Sequence, residues 1–247
     1  MRYSQSIQSL KGIAALVVFL SHSIGFYEDS RVTTFYTTPF HLVTDGQCAV
    51  MLFFAITGFL TYRKDKSITE HTYINGIKRK CLRFFPQYII VTIAAFILCN
   101  LQLSWDSALF TDWSNKFWTN TVGYKELIKQ LILIYQTNWD LLNPPMWYMH
   151  VDMQMMFYLP LIVLLINQIG IWITIPFLLS SFFPEITPIS YRFLAYYCIG
   201  MIMRYFVEKA KVRYLLEKKV WVVILTIGII FVDIYNVRGV QEHIGGG

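Results

Sequence analysis

Long stretches without a charged residue constrain this chain of 247 residues more than any other feature of its sequence. A helix that crosses the hydrocarbon core of a bilayer needs about 20 mostly apolar residues. Only 15% of the residues are charged, whereas a soluble domain carries roughly a quarter. The sequence therefore predicts an all-α, polytopic transmembrane helix bundle with about seven spans. The apolar runs are Gly12–Tyr27, Gly46–Tyr62, Phe84–Trp105, Met153–Pro184, Phe193–Met203 and Val220–Val232.

The run Met153–Pro184 is too long for a single span, because it exceeds the length that crosses a bilayer. Polar residues and a glycine interrupt it at positions 167–170, where the sequence reads Asn-Gln-Ile-Gly. We therefore predict a helical hairpin with its break at this point. The first arm of the hairpin is expected to begin near Met146.

Basic residues cluster in two segments, 63–83 and 204–219, which hold 13 of the 21 lysines and arginines. The positive-inside rule places both segments in the cytoplasm. Both can lie there only if the short apolar segment Leu127–Tyr135 does not cross the membrane, so we predict an interfacial or re-entrant helix for it. The N-terminus is then cytoplasmic. Because the two clusters account for the net charge of +6, no nucleic-acid partner is expected.

A cleaved signal peptide is an alternative interpretation of the N-terminal run. Arg2 and Lys11 precede a short apolar core, and the Ser-His-Ser sequence at 21–23 offers a cleavage site. Cleavage would leave the next basic loop on the wrong side of the membrane. We therefore expect the first run to remain in the protein as a span.

Motifs for metal binding and nucleotide hydrolysis are absent from the sequence. It contains no Walker-type glycine-rich loop, no HExxH, and no histidine and cysteine spacing typical of a metal site. The four cysteines have no CxxC spacing and lie in or beside apolar runs, so we interpret them as small buried hydrophobes. We therefore expect no metal. The cysteines are Cys48, Cys81, Cys99 and Cys198.

Two ionisable residues, Lys11 and His22, lie in or at the edge of the first apolar run, and such residues are costly inside a bilayer. Eleven positions separate Lys11 from His22, so in a helix the two side chains lie on nearly the same face, about 16 Å apart along the axis. A neutral histidine in that position is able to accept a proton from a hydroxyl group, as a general base does. A structural role stays open, in which Lys11 extends to the inner interface and His22 bonds a neighbouring helix.

The start of the first arm of the predicted hairpin carries His150, Asp152 and Gln154. His150 and Gln154 are one helical turn apart and share a face, whereas Asp152 points elsewhere. A carboxylate near a membrane boundary pairs with a cation or orients a histidine. A solvated helix start at the interface is the alternative.

Cations also concentrate at the entry to the third predicted span, where Lys80 and Arg83 are three residues apart. Such clusters often serve only as topology determinants. At this depth, cations also suit a polyanionic cytosolic ligand, such as a nucleotide or a coenzyme with phosphates. With Arg79, these residues form a candidate phosphate-binding set.

Four stretches of the chain together resemble the acyltransferase-3 family of integral membrane O-acyltransferases. In that family's first helix an arginine precedes a histidine by eleven positions; here Lys11 stands at the arginine position and keeps the charge without the bidentate fork. Asp152 stands at the position of a family glutamate. The four stretches are Ser9–Ala15 through His22, Ala49–Leu60, Arg79-Lys80 with Arg83, Pro86 and Tyr88, and Trp147 through Gln154.

The resemblance implies transfer of an acyl group, usually acetyl, from a cytosolic acyl-coenzyme A to a carbohydrate hydroxyl. The acceptor is expected to be a polysaccharide or a lipid-linked sugar, and the location the bacterial inner membrane. Acyl-coenzyme A is then a donor substrate, and no permanently bound cofactor is expected. His22 would act as general base or transient acyl carrier, and Lys11 would hold or orient the donor. The resemblance implies a catalytic set of His22, Lys11 and Asp152 and a coenzyme-binding set of Arg79, Lys80 and Arg83.

We expect a single membrane-embedded domain over residues 1–247, with the family motifs in residues 9–160 and further spans in residues 161–247. Members of the family usually have more spans in a longer chain, so we expect a C-terminally short relative. Two alternatives remain: an inactive, truncated relative, and a polytopic transporter or exporter of small solutes. The second suits a histidine and a lysine within the membrane, but we find no paired repeat of the kind that transporters often show.

Overall fold

The computed structural model describes residues 2–27, 44–62, 70–101, 107–112, 114–115, 121–132, 142–180 and 193–209. Within these ranges the regular structure is helical, which confirms the predicted all-α class for this part of the chain. The helices are α1 (Arg2–Gly25), α2 (Gly46–Thr61), α3 (Glu70–Asn100), α4 (Tyr124–Leu131), α5 (Trp147–Ile169), α6 (Ile175–Ser180) and α7 (Leu194–Lys209).

Three helical segments of the described chain are long and apolar enough to cross a membrane. They are Gln5–Gly25, Tyr73–Asn100 and Trp147–Ile169, which belong to α1, α3 and α5. Helix α2 is apolar too, but it has only 16 residues. The total of about seven spans stays a prediction. One of the predicted spans, Val220–Val232, lies outside the described residues.

Helix α3 begins at Glu70, well before the predicted start of its apolar run at Phe84. The basic segment before Phe84 is therefore part of the same helix. Lysine and arginine are good helix formers, so a run of cations changes the hydropathy of a helix without ending it. Hydropathy located only the apolar part of this element.

The predicted break in the long apolar run lies at Gly170. Helix α5 ends at Ile169, and Gly170 has a positive φ of 108°. A residue without Cβ adopts that conformation without steric strain. The chain then continues as a 3-10 turn, Ile171–Thr174, and the short helix α6. This confirms the interruption; the part of the second arm beyond Ser180 lies outside the described residues.

The segment Leu127–Tyr135, which is predicted not to cross the membrane, overlaps a short helix. Helix α4 has eight residues, Tyr124–Leu131, which correspond to about 12 Å of helix. The hydrocarbon core is about 30 Å thick, so α4 is too short to span it. Its interfacial or re-entrant position stays a prediction.

The chain divides into two compact units. The first comprises Met1–Phe19, Thr44–Lys66 and Ile162–Gly247, and the second comprises Leu20–Val43 and Ser67–Leu161. In the second unit, a core cluster forms between α3 and α5 around Tyr88, Met149 and Met153.

Two of the cysteines, at positions 99 and 198, are buried, and those at 48 and 81 are half-buried.

In the first unit, helices α2 and α7 approach each other closely at two glycines. A Cβ atom on Gly58 would overlap the backbone carbonyl of Tyr197, and one on Gly200 would overlap the carbonyl of Ala55. Beside these contacts, the ring of Phe54 stacks on that of Tyr197 with 4.8 Å between centroids. Small residues permit the same kind of close backbone contact between membrane helices.

The variant Gly58→Ala is expected to destabilise the protein by more than about 2 kcal/mol, because the added methyl group has to separate the two backbones. Gly76→Ala is the matched control, since nothing lies within 4 Å of a Cβ at that position. Replacing this helical glycine changes stability by no more than about 1 kcal/mol. Thermal unfolding of the purified protein in lipid nanodiscs measures both effects. Equal unfolding midpoints for the two variants would contradict the packing described for α2 and α7.

Candidate functional site

Lys11 and His22 lie on one unbroken helix, α1, so their eleven-residue spacing corresponds to about 16 Å along its axis. Both side chains are half-buried, and they lie on the same face as the buried residue Ala14. Ile13, on the opposite side of the helix from both residues, is 61% exposed, and Phe19, which lies one turn before His22, is 66% exposed. The predicted pair therefore lies on one side of a helix that is long and apolar enough to cross a membrane, and neither side chain is fully exposed.

Two side chains from the segment 107–115 bind the C-terminal end of α1, a few residues beyond His22. The Thr111 hydroxyl donates to the carbonyl of Gly25 at 3.1 Å. The Ser114 hydroxyl lies 3.1 Å from the carbonyl of Phe26 and 2.9 Å from that of Thr111, and the Thr111 amide donates to the Phe26 carbonyl at 3.1 Å. A helix leaves its last carbonyls without intrahelical partners. These bonds satisfy two of the carbonyls at this end and fix the position of the segment.

Lys80 and Asp152 form an ion pair between α3 and α5. The Nζ atom of Lys80 lies 2.7 Å from Oδ2 of Asp152 and also donates to the Asp152 backbone carbonyl at 3.2 Å. The two side chains are only 21% and 18% exposed. Of the two sequence-based interpretations of Asp152, the structure shows the pairing with a cation. A residue from the predicted catalytic set thus contacts one from the predicted coenzyme-binding set.

Arg79 and Arg83 have a different environment from Lys80, although all three lie on α3. Both arginines are exposed. They are four positions apart in the sequence, so they lie one helical turn apart on the same face of α3. The guanidinium of Arg83 lies 5.5 Å from the centroid of the Phe84 ring. Both arginine side chains are accessible to an anion, whereas Lys80 is already paired with Asp152.

A buried polar cluster joins α3, α4 and α5 in the second unit. The Tyr88 hydroxyl donates to the backbone carbonyl of Gln130 at 2.5 Å and lies 3.2 Å from Nε2 of His150. All three residues are at most 2% exposed. Apolar side chains of the core cluster surround Tyr88, among them Met149 and Met153. Buried polar groups in such surroundings stabilise a structure only when they are bonded, so this cluster fixes α4 against the two longer helices.

The structure places the predicted site residues in three groups. Lys11 and His22 share α1, Lys80 contacts Asp152, and Arg79 lies with Arg83 on the exposed face of α3. In the part of the chain that the structure describes, no group of three His, Cys, Asp or Glu side chains is arranged to hold a metal ion.

Sequence reasoning missed the polar contacts that depend on long-range packing. Tyr88 entered the prediction only through a family motif, and His150 only through its helical face, so their contact was not foreseen. The hydroxyl groups of Thr111 and Ser114 carried no recognisable signal, because such residues are common in loops.

Comparison with known proteins gives one result for nearly the whole chain. A protein-family model with the description "Acyltransferase domain" matches residues 4–244. No curated protein and no solved structure matches the chain.

Breaking the Lys80–Asp152 pair is expected to destabilise the protein. Asp152→Ala and Lys80→Ala each leave one half-buried charge without its partner, at a cost of about 1–3 kcal/mol. A double-mutant cycle, measured by thermal unfolding in nanodiscs, should give a coupling energy of at least about 1 kcal/mol.

The matched control for this cycle is the pair Lys129–Glu126 on α4, with 2.6 Å between Nζ and Oε1 and side chains 48% and 38% exposed. Its coupling energy should be no more than about 0.5 kcal/mol. A coupling at Lys80–Asp152 as small as that of the control would show that the pair does not hold α3 against α5.

Proposed function

Because the chain belongs to the acyltransferase-3 family, we propose that it transfers an acyl group from acyl-coenzyme A to a hydroxyl group of a cell-surface or lipid-linked carbohydrate. The family match over residues 4–244 is the observation that carries the proposal. Helices α1, α3 and α5 each contain a segment long and apolar enough to cross a membrane, which supports a reaction at the membrane. We further propose that the transferred group is acetyl and that the protein lies in a bacterial inner membrane with its N-terminus in the cytoplasm.

His22 is proposed as the general base of this reaction. Its imidazole takes the proton from the acceptor hydroxyl while the hydroxyl oxygen forms a bond to the thioester carbonyl carbon. The bond between this carbon and sulfur then breaks, and the coenzyme thiolate leaves with the electron pair. The thiolate receives the proton that His22 had accepted, so the enzyme returns to its starting state. In a variant of this scheme, His22 itself carries the acyl group between donor and acceptor.

The cations of α3 are proposed to bind the phosphates of the donor. Guanidinium groups make strong charge-assisted hydrogen bonds to phosphate oxygens. The exposure of Arg79 and Arg83 supports this role, since a large polyanion can reach them. Lys80 contributes through its charge and through its bond to Asp152. Lys11 is proposed to orient the donor near the cytoplasmic end of α1.

Asp152 is proposed to act through Lys80. The short distance between the carboxylate and the ammonium group supports this, because the carboxylate holds the ammonium in one position beside α5. A lysine that is fixed in this way loses little conformational entropy when a phosphate approaches. Asp152 is then a positioning residue for the donor.

His22→Ala is expected to lower kcat by about 100-fold or more, since general-base catalysis contributes rate factors of about 10²–10⁴. Transfer of a radiolabelled acetyl group from acetyl-coenzyme A to the glycan fraction of the parent cells measures the effect. His71→Ala is the matched histidine control, because residue 71 precedes the membrane-spanning part of α3. Lys11→Arg should keep or raise activity, because it restores the family residue. Full transfer by His22→Ala would exclude the proposed role, and no transfer by the unmodified protein would exclude the function.

The double variant Arg79→Ala/Arg83→Ala is expected to raise the KM for acetyl-coenzyme A by about tenfold or more, because hydrogen bonds to charged groups contribute about 1.5–3 kcal/mol each. The KM for the glycan should stay within about twofold of the unmodified protein's value. Lys78→Ala is the control, since Lys78 is an exposed cation on the same helix. An unchanged donor KM in the double variant, or an equal rise in Lys78→Ala, would argue against a specific phosphate site.

A further inference from the structure

Two aromatic rings stack on each other directly beyond the C-terminal end of α1. Tyr27 and Phe110 have ring centroids 5.4 Å apart and an angle of 29° between their planes. An isolated antiparallel bridge joins the backbones of the same two residues. Tyr27 is 55% exposed, and Phe110 is half-buried. The pair therefore presents a broad aromatic surface and is not part of a core.

Hydrogen bonds beneath the rings hold this surface in place. Thr111, next to Phe110, bonds the end of α1 through both its hydroxyl and its amide. Ser114, which is fully buried, bonds the Phe26 carbonyl next to Tyr27. The Asn115 side chain donates to the Phe110 carbonyl at 3.1 Å. Because the frame is ordered before any ligand arrives, a ring that stacks on the surface meets a pre-organised partner, which favours binding.

The charges near the two rings favour a neutral polyhydroxylated ligand. Among the described residues within three positions of either ring, the one charged side chain is the exposed carboxylate of Asp112. Carboxylates accept hydrogen bonds from hydroxyl groups, whereas anionic lipid headgroups repel them. Aromatic residues that anchor a protein to such headgroups would be expected beside basic residues. A pyranose offers both features that this surface suits, namely an apolar face of C–H groups for the rings and hydroxyl groups around its edge.

We propose that Tyr27 and Phe110 form a stacking platform for one sugar ring of the carbohydrate acceptor. This inference rests on the proposed function and adds an acceptor subsite to it. Tyr27 lies five positions after His22, the first three of them within α1, which limits the distance between the two Cα atoms to about 11 Å. The platform binds the sugar ring next to the one that is acylated and brings the acceptor hydroxyl toward His22.

Kinetics with variants of the platform test this proposal in nanodiscs, with acetyl-coenzyme A as donor and the glycan fraction of the parent cells as acceptor. Tyr27→Ala and Phe110→Ala should each raise the acceptor KM by about 5- to 10-fold, as expected for the loss of an aromatic contact of about 1–1.5 kcal/mol. The donor KM should stay within about twofold. Tyr27→Phe keeps the ring and should restore the acceptor KM.

Tyr124→Ala is the matched control, because Tyr124 is a more exposed tyrosine whose ring also contacts a phenylalanine, Phe96, at 5.5 Å. It should leave both KM values unchanged. An unchanged acceptor KM in Tyr27→Ala would overturn the platform. An equal rise in Tyr124→Ala would overturn it too, since it would indicate general anchoring of aromatic residues at the membrane surface.

Retention of the same glycan fraction on immobilised nanodiscs separates the two proposals. If the unmodified protein transfers no acetyl group, the proposed function fails, and retention then decides on the platform alone. Retention by the unmodified protein that falls severalfold in Tyr27→Ala, but not in Tyr124→Ala, supports the platform. Absent retention, or equal retention by the three proteins, overturns it.

Discussion

The need to pair every backbone polar group in an apolar environment is the constraint on which the rest of this structure depends. Hydrocarbon offers no hydrogen bonds, so a chain that crosses it forms helices whose N–H and C=O groups bond within the same segment. The long apolar parts of α1, α3 and α5 satisfy this requirement. Where α1 ends, the hydroxyls of Thr111 and Ser114 bond the carbonyls that the helix leaves without partners. The same bonds shape the surface beyond His22.

Within the second unit, a few polar contacts determine how the helices associate. In a membrane, apolar side chains contact lipid about as well as they contact one another, so apolar contacts alone specify few helix arrangements. The ion pair of Lys80 with Asp152 and the contacts of Tyr88 with His150 and Gln130 each have a defined partner and a defined distance. They give α3 and α5 a register in which the exposed arginines of α3 lie apart from the buried cluster.

The sequence predicts single elements better than it predicts contacts between them. The predicted run Gly46–Tyr62 nearly coincides with α2, which begins at Gly46 and ends at Thr61. In this element the apolar residues extend over the whole helix. The prediction misses the start of α3, since a helix continues through the cations that precede Phe84. The partner of Asp152 could not be predicted, because helical periodicity gives the face of a side chain but not the helix opposite. Lys80 lies 72 positions away, and only the packing of α3 on α5 brings the two together.

The single proton of the Tyr88 hydroxyl has a consequence for the imidazole beside it. Tyr88 uses this proton for the carbonyl of Gln130, which lies closer to the hydroxyl than Nε2 of His150 does. Its oxygen is then an acceptor, and a hydrogen bond from His150 to this oxygen requires a proton on Nε2. A neutral ring with its proton at Nε2 has its lone pair on Nδ1. In that tautomer, a second proton binds at Nδ1, on the side of the ring that faces away from Tyr88.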